Sequence, residues 1–142
     1  MSHIILYIED ENAIVELVQD VLRHPDIDLQ FAFSAAEGLK KARTGHPDLI
    51  LLDVMMPGRS GWSVWEELRG EDDFKHIPII MLTGQLHRYR VMKEFAKSDI
   101  DAYITKPFDA RVVRDEIQKM LAVTFWDART GKPLPVQRDK KA

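Results

Sequence analysis

Acidic residues follow two apolar runs that are each too short to form a helix. Residues 49–52 are Leu-Ile-Leu-Leu and end at Asp53, and residues 4–8 end at Glu9-Asp10-Glu11. A short apolar run bounded by polar and turn residues is typical of a strand buried on both faces. Carboxylates at the ends of such strands can bind a cation or act as nucleophiles.

Two further strand-like runs present polar groups at their ends. Residues 77–82 lead to Thr83, and residues 100–104 lead to Thr105 and Lys106. Parallel strands of an open α/β sheet bring their carboxyl ends to one edge, where ligands bind. Taken singly, each group has an ordinary explanation, such as a turn-opening aspartate, a strand-end threonine or a surface lysine. Their coincidence at one edge favours a shared site.

These groups together predict phosphoryl transfer. Clustered carboxylates repel one another unless they share a hard cation, and oxygen ligands suit Mg²⁺ or Mn²⁺. The Lys106 ammonium and the Thr83 hydroxyl would bind the oxygens of a phosphoryl group. Asp53 is then the candidate nucleophile, because carboxylates form acyl phosphates when the developing charge is neutralised.

Periodicity between the runs predicts the elements that hold these groups. After Asn12 one apolar stripe recurs at helical spacing, and its members are Ile14, Leu17, Val18, Val21 and Leu22. Ile27 to Phe33 is predicted as a strand, and Ser34 as the N-cap of a second helix that Gly45 closes. Further helices are predicted after Gly61, from about His87 to Lys97, and after Asp109. Five strands alternating with five helices predict an α/β fold, a parallel sheet with helices on both faces.

Composition narrows the class of protein. The chain has 142 residues, a formal net charge of −3 and no cysteine. The length predicts one domain, and the charge argues against a general binder of nucleic acid or anionic membranes. A disulfide framework or a thiolate metal site is excluded. Without a signal-peptide pattern or a membrane-spanning apolar run, we expect a cytoplasmic location.

The polar composition after residue 123 separates two parts of the chain. We expect residues 1–123 to form the domain and residues 124–142 to be a tail: a helix extension, a docking arm or a linker, with no output domain. The aromatic pair Phe125-Trp126 would pack on the domain or on a second copy of the chain.

The chain resembles the receiver domains of two-component response regulators over residues 3–123. The motifs that carry the resemblance are Ile8-Glu9-Asp10-Glu11, Leu51-Leu52-Asp53-Val54-Met55-Met56-Pro57-Gly58, Leu82-Thr83-Gly84 and Tyr103-Ile104-Thr105-Lys106-Pro107-Phe108. The resemblance implies a doubly wound five-stranded sheet with strand order 2-1-3-4-5. It also implies a phosphoacceptor signalling domain rather than an enzyme that turns over a separate substrate.

The same resemblance implies a role for each site residue. Asp53 would be the phosphoacceptor, with Lys106 and Thr83 contacting the phosphoryl oxygens. Asp10, Asp53 and the backbone carbonyl of Met55 would ligate Mg²⁺, and Glu9 would act through water. On phosphorylation Thr83 would move toward the phosphoryl group and Tyr103 would turn inward, altering the surface formed by the helix at about 87–97, the last strand and the last helix.

Partners follow from the resemblance as well. The donor would be a sensor histidine kinase or a histidine phosphotransfer protein, and the receiver of the signal would be a downstream protein target or an absent output domain. A homodimer through the face formed by the helix at about 87–97 and the last helix is a further expectation. The predicted phosphorelay role involves no direct contact with nucleic acid or membrane.

Three other readings remain open. A haloacid-dehalogenase-type phosphatase also uses an aspartyl nucleophile, but it needs a second Asp where this chain has Met55, and a cap domain. A flavodoxin-like FMN carrier needs a phosphate loop rich in Ser, Thr and Gly, whereas residues 9–11 are Glu-Asp-Glu. A receiver that serves only as a protein-interaction module is less compatible with the set Asp10, Asp53, Thr83 and Lys106.

Overall fold

One sheet of five parallel strands organises the computed structural model, which describes residues 3–56, 58–83, 93, 102–105 and 110–121. The strands are β1 (His3–Ile8), β2 (Ile27–Ala32), β3 (Leu49–Asp53), β4 (Ile79–Thr83) and β5 (Ala102–Thr105). Their order is β2-β1-β3-β4-β5, and each neighbouring pair is parallel. The expected doubly wound sheet with order 2-1-3-4-5 is confirmed.

The described part of the chain contains the α-helices α1 (Asn12–Val21), α2 (Ala35–Gly45), α3 (Gly61–Arg69) and α4 (Ala110–Leu121). Two of these helices begin with a serine N-cap. The Ser34 hydroxyl accepts a hydrogen bond from the Glu37 N–H at 3.2 Å, as predicted for α2. The Ser60 hydroxyl accepts one from the Ser63 N–H at 3.4 Å at the start of α3.

Apolar side chains bury both faces of the sheet, which is why its central strands read as continuous apolar runs. On one face the strands pack against α1 and α4, through Val15, Val18, Leu22, Val113 and Ile117. On the other they pack against α2 and α3, through Leu39, Ala42, Trp62, Val64 and Leu68. All five residues of β3 and all five of β4 are buried. The carboxyl edge of the sheet is therefore formed at its centre by two fully buried strands.

Several local features differ from the sequence predictions. The strand β4 begins at Ile79, two residues later than predicted. Leu17 was wrongly assigned to the inward stripe of α1; its side chain is 62% exposed, because the buried arc of the helix centres on Val15, Val18 and Leu22. The second strand ends at Ala32, one residue earlier than predicted, and Phe33 is exposed. A short 3₁₀ helix at Asp72–Phe74, which was not predicted, places Phe74 in the core.

Some predicted features fall outside the described residues. These are the helix from His87 to Lys97 apart from Lys93, the residues Lys106 and Asp109, and the tail at 124–142. Within the described ranges, no helix combines the length and apolar character needed to cross a membrane.

Candidate functional site

Three carboxylates converge where β1 and β3 end side by side. Ile8 is the register partner of Leu52, so the residues that follow each strand become neighbours. Glu9, Asp10 and Asp53 each contribute a carboxylate oxygen to a set whose members all lie within 4.8 Å of one another. Glu9 and Asp53 are buried. The structure thus brings together the three acids that the sequence predicted to meet.

The acidic cluster fits a divalent cation with oxygen ligands. Like charges held this close repel one another strongly where water is scarce, and a cation between them removes that cost. The cluster offers carboxylate oxygens alone, the hard ligands that Mg²⁺ prefers, and few enough to leave room for water or phosphate oxygens in its coordination sphere. Asp10, Asp53 and, through water, Glu9 are the described side chains that would hold it.

A backbone contact orients Asp53. Its Oδ1 accepts a hydrogen bond from the Met55 N–H at 3.0 Å, closing an Asx turn directly after β3. This contact fixes the rotation of the carboxylate and places Met55 beside it. The Met55 side chain is 52% exposed. Its backbone carbonyl, the expected third metal ligand, remains a prediction.

The segment after Asp53 is held to the sheet and to α3. Val54 donates its N–H to the Leu82 carbonyl at 2.9 Å, and Gly61 donates its N–H to the Val54 carbonyl at the same distance. A Cβ on Gly61 would lie 2.2 Å from the backbone oxygen of Asp53. The first residue of α3 therefore has to be glycine for the helix to approach Asp53 this closely, a constraint that the apolar pattern of the sequence does not reveal.

Glu9 is held by a phenol as well as by the backbone. Its Oε1 accepts a hydrogen bond from the Tyr7 hydroxyl at 3.2 Å, and its Oε2 accepts one from the Asp10 N–H at the same distance. Tyr7 is fully buried. Burial raises the pKa of its phenol, and the charges of Glu9 and Asp53 raise the pKa further. The hydroxyl thus keeps its proton and acts as a donor.

Tyr7 was not recognised from the sequence, although a signal was present. Side chains two residues apart on a strand share a face, so Tyr7 and Glu9 point to the same side of β1. In the sequence pattern Tyr7 is only one member of the apolar run at residues 4–8.

Thr83 and Tyr103 lie on one face of the sheet near its carboxyl edge. Thr83 ends β4 and is fully buried, and Tyr103 on β5 is the register partner of Met81. Because side chains alternate, Thr83, Met81 and Tyr103 share a face. Tyr103 is partly buried against the core beneath α2 and α3. Thr83 and Tyr103 thus lie on adjacent strands and on the same face, offset by two residues in register, and Lys106 lies outside the described residues.

Comparison with known proteins identifies relatives for most of the chain. A family model described as the response regulator receiver domain matches residues 5–118. The alkaline phosphatase synthesis transcriptional regulatory protein PhoP of Bacillus subtilis is 37% identical over 121 residues, which cover 85% of this chain and 49% of PhoP. The chemotaxis protein CheY of Pseudomonas aeruginosa is 28% identical over 119 residues, covering 82% of this chain and 94% of CheY.

The length of these relatives differs. The chain spans about half the length of PhoP and of the transcriptional regulatory protein DltR of Streptococcus agalactiae, but nearly all of CheY.

Solved structures support the same fold. A putative response regulator from Chloroflexus aurantiacus superposes with a TM-score of 0.76 at 27% identity, covering 87% of this chain and 100% of that one. The chemotaxis response regulator CheY4 of Vibrio cholerae gives a TM-score of 0.74 at 24% identity, covering 84% of this chain and 99% of that one, and it supports the fold alone.

Proposed function

Because the chain belongs to the response regulator receiver family of two-component signalling, we propose that Asp53 accepts a phosphoryl group in a reaction that depends on Mg²⁺ or Mn²⁺. The donor is a phosphohistidine of a sensor kinase or of a histidine phosphotransfer protein. One observation carries this proposal: Glu9, Asp10 and Asp53 converge to within 4.8 Å at the carboxyl edge of the sheet. The domain consists of residues 1–123, and the family match over residues 5–118 supports that boundary.

The chemistry is a displacement at phosphorus. A carboxylate oxygen of Asp53 forms the new P–O bond while the P–N bond to the donor imidazole breaks, and the bonding electrons leave with the imidazole. A bound divalent cation would neutralise negative charge on the carboxylates and on the phosphoryl oxygens. The Met55 N–H holds Asp53 in one orientation, with 3.0 Å between nitrogen and Oδ1, which limits the reorganisation needed for attack.

Lys106 and Thr83 bind the transferred group. The Lys106 ammonium pairs with a phosphoryl oxygen, and the Thr83 hydroxyl donates a hydrogen bond to another. Asp10, Asp53 and the Met55 carbonyl would ligate the cation, and Glu9 would act on it through water. Support for Thr83 comes from its position at the end of β4, next to β3.

Phosphorylation biases a two-state surface. Thr83 moves toward the phosphoryl group, Tyr103 turns into the space it leaves, and the surface around β5 and α4 changes. The shared face of Thr83 and Tyr103 supports this coupling. The altered surface engages a downstream protein target or an output domain, or a second copy of the chain. A cytoplasmic location suits such an exchange with a kinase.

The direct test is mass spectrometry after incubation with acetyl phosphate. We expect wild type to gain one phosphoryl group with Mg²⁺ and none with EDTA. Asp53→Asn should gain none under either condition. Asp28→Asn, which changes an exposed aspartate on β2, is the matched control and should behave as wild type.

Two results would contradict the proposal. Phosphorylation of Asp53→Asn at the wild-type rate would move the acceptor to another residue. A wild-type chain that binds Mg²⁺ but gains no phosphoryl group from acetyl phosphate or from a panel of phosphohistidine donors would favour an interaction module that works without phosphorylation.

The switch has its own test in the amide NMR spectrum of the phosphorylated protein. We expect Thr83→Ala to be phosphorylated but to show much smaller shifts in β5 and α4 than wild type. Thr83→Ser keeps the hydroxyl and should retain most of the change. Full wild-type shifts in Thr83→Ala would remove Thr83 from the switch.

A further inference from the structure

The hydroxyl of Tyr7 lies beneath the acidic cluster without belonging to it. It donates a hydrogen bond to Glu9 Oε1 at 3.2 Å, and both residues are fully buried. The aromatic ring packs in the core formed with α1 and α4, a task that phenylalanine would perform equally well. The hydroxyl is therefore the part of Tyr7 that core packing does not explain.

The two hydrogen bonds to Glu9 fix its carboxylate at both oxygens. The Tyr7 hydroxyl donates a hydrogen bond to Oε1, and the Asp10 N–H, at the start of the following loop, donates one to Oε2. Both donor–acceptor distances are 3.2 Å. A glutamate side chain has three rotatable bonds, and ordering it costs free energy if it happens only when the cation binds. Here much of that ordering is already present in the folded protein.

We infer that Tyr7 is a positioning residue for cation binding: its hydroxyl orients the Glu9 carboxylate toward the divalent cation shared by Asp10 and Asp53. The inference rests on the proposed function, since it concerns the same metal site. Groups that orient a ligand from behind often contribute as much to metal affinity as a weak direct ligand. Tyr7 acts through Glu9 and contacts neither the cation nor the phosphoryl group.

The chemistry of the phenol suits this role. A tyrosine phenol has an ordinary pKa of about 10, so its oxygen is protonated at neutral pH and can donate the hydrogen bond to Glu9. A neutral donor satisfies one oxygen of a buried carboxylate without cancelling its charge, whereas a lysine or arginine there would form an ion pair and compete with the cation. The negative charge of Glu9 stays available to the metal site.

The test is the Mg²⁺ dissociation constant, measured by titration calorimetry on the intact chain. We expect Tyr7→Phe to weaken Mg²⁺ binding by about 3- to 10-fold, somewhat below the loss typical when a partner of a direct ligand is removed. Ile5→Val is the matched control, because Ile5 lies two residues earlier on the same face of β1 and belongs to the same core cluster. It should leave the dissociation constant unchanged.

A double-mutant cycle shows whether the effect passes through Glu9. In a Glu9→Gln background the carboxylate charge is gone, so adding Tyr7→Phe should change Mg²⁺ affinity by less than about twofold. Phosphorylation by acetyl phosphate provides a second readout. Tyr7→Phe should require more Mg²⁺ for half-maximal rate, by the same factor, and reach nearly the wild-type rate at saturation.

The outcomes separate this inference from the proposed function. A wild-type chain that takes up no Mg²⁺ overturns the metal site and the role of Tyr7 together. Wild-type affinity in Tyr7→Phe overturns the role of Tyr7 alone. So does an equal loss in Ile5→Val, which indicates a packing effect, or an undiminished loss in the Glu9→Gln background.

Discussion

Gly61 determines how closely helix α3 approaches Asp53. Its position leaves no room for a side chain, since a Cβ would lie 2.2 Å from the Asp53 carbonyl oxygen and 2.9 Å from the Val54 Cα. Both neighbours are backbone atoms of the segment that carries Asp53, so neither can move aside without shifting the site.

We expect Gly61→Ala to lower the free energy of unfolding by about 2 kcal/mol, as overpacking against rigid neighbours does. Phosphorylation of Asp53 should also slow, because the displaced loop carries Met55. Urea denaturation followed by circular dichroism measures the first effect. Gly70→Ala is the control: its Cβ would be 3.5 Å from the nearest atom, and Gly70 has helical φ and ψ. Equal losses in the two variants would refute the steric explanation.

At this scale the sequence predicted which acids would meet but not what holds them. The grouping of Glu9, Asp10 and Asp53 follows from parallel strands sharing a carboxyl edge. The Tyr7 hydroxyl and the Gly61 contact depend on side-chain directions and distances of a few tenths of an ångström. The spacing of apolar residues in a sequence contains no information about side-chain directions or about distances this short.

The residue that caps the C-terminus of α2 has a strained, left-handed backbone conformation although it is not glycine. The helix ends at Gly45 as predicted, yet the left-handed residue is His46, with φ 47° and ψ 62°. Its N–H is donated to the Ala42 carbonyl at 3.1 Å, the hydrogen bond that accompanies a left-handed residue at a helix C-terminus. A side chain with a Cβ pays a steric penalty there that glycine avoids.

We expect His46→Gly to raise the free energy of unfolding by about 0.5–1 kcal/mol, the steric relief being partly offset by the greater entropy of an unfolded glycine. His46→Asn should fall between wild type and glycine, because asparagine tolerates the left-handed region. His46→Val should destabilise. Denaturation midpoints of the three variants give the ranking, and a less stable glycine variant would indicate that the imidazole makes a contribution of its own.

Glu67 joins α3 to α2 and to the segment after Asp53. It accepts hydrogen bonds from Arg59 at 2.6 Å and from Arg43, which also pairs with Glu71. The hydrogen bonds from Arg59 and then Arg43 lower the pKa of Glu67 from its ordinary value of 4.5. A lowered carboxyl pKa means that the ionised form stabilises the fold.

Glu67→Gln should therefore lower the urea midpoint at pH 7. The stabilisation is complete above pH 4.5 and is lost as the pH falls through the lower folded-state pKa, so the two midpoints should converge in that range. High salt should also narrow the gap, since the groups are partly exposed. Glu16→Gln, at an exposed position on α1, is the control and should show little pH-dependent difference. A constant gap from pH 7 to pH 3 would exclude the ionic explanation.

The boundaries of strands and helices were predictable where the recurrence of apolar residues was strong. The apolar run of β3 and the serine cap of α2 lie where the sequence predicts, whereas β4 begins at Ile79, two residues after the predicted start. The buried face of α1 was harder to predict, because apolar residues lie on both sides of the arc that is buried. Leu17 lies outside that arc but was assigned to it. The 3₁₀ helix at Asp72–Phe74 is too short to carry a period.

The strand order belongs to the whole molecule, and local pattern does not determine it. Alternating strands and helices indicate right-handed crossovers, but each new strand can be added on either side of those already placed. The order 2-1-3-4-5 came from the family resemblance, and the sheet confirms it. That order places β1 beside β3 and hence creates the acidic cluster.

We expect the acidic cluster to link the stability of the whole fold to cation concentration. Three carboxylates within 4.8 Å of one another should destabilise the metal-free protein through repulsion, whereas a cation that binds only the folded state would stabilise it. Asp10→Asn removes one of the repelling charges and one of the proposed direct ligands. The substitution should therefore act in opposite directions with and without Mg²⁺.

In EDTA we expect Asp10→Asn to unfold at a higher temperature than wild type. With Mg²⁺ near 100 times the wild-type dissociation constant, wild type gains about 2.7 kcal/mol and the variant gains much less, so the order reverses. Asp26→Asn, at an exposed position between α1 and β2, should show no crossing. Calorimetric melts in both conditions measure the effect. If Asp10→Asn were the less stable protein in EDTA too, local contacts of Asp10 would outweigh carboxylate repulsion, and the cluster would not be a strained site relieved by metal.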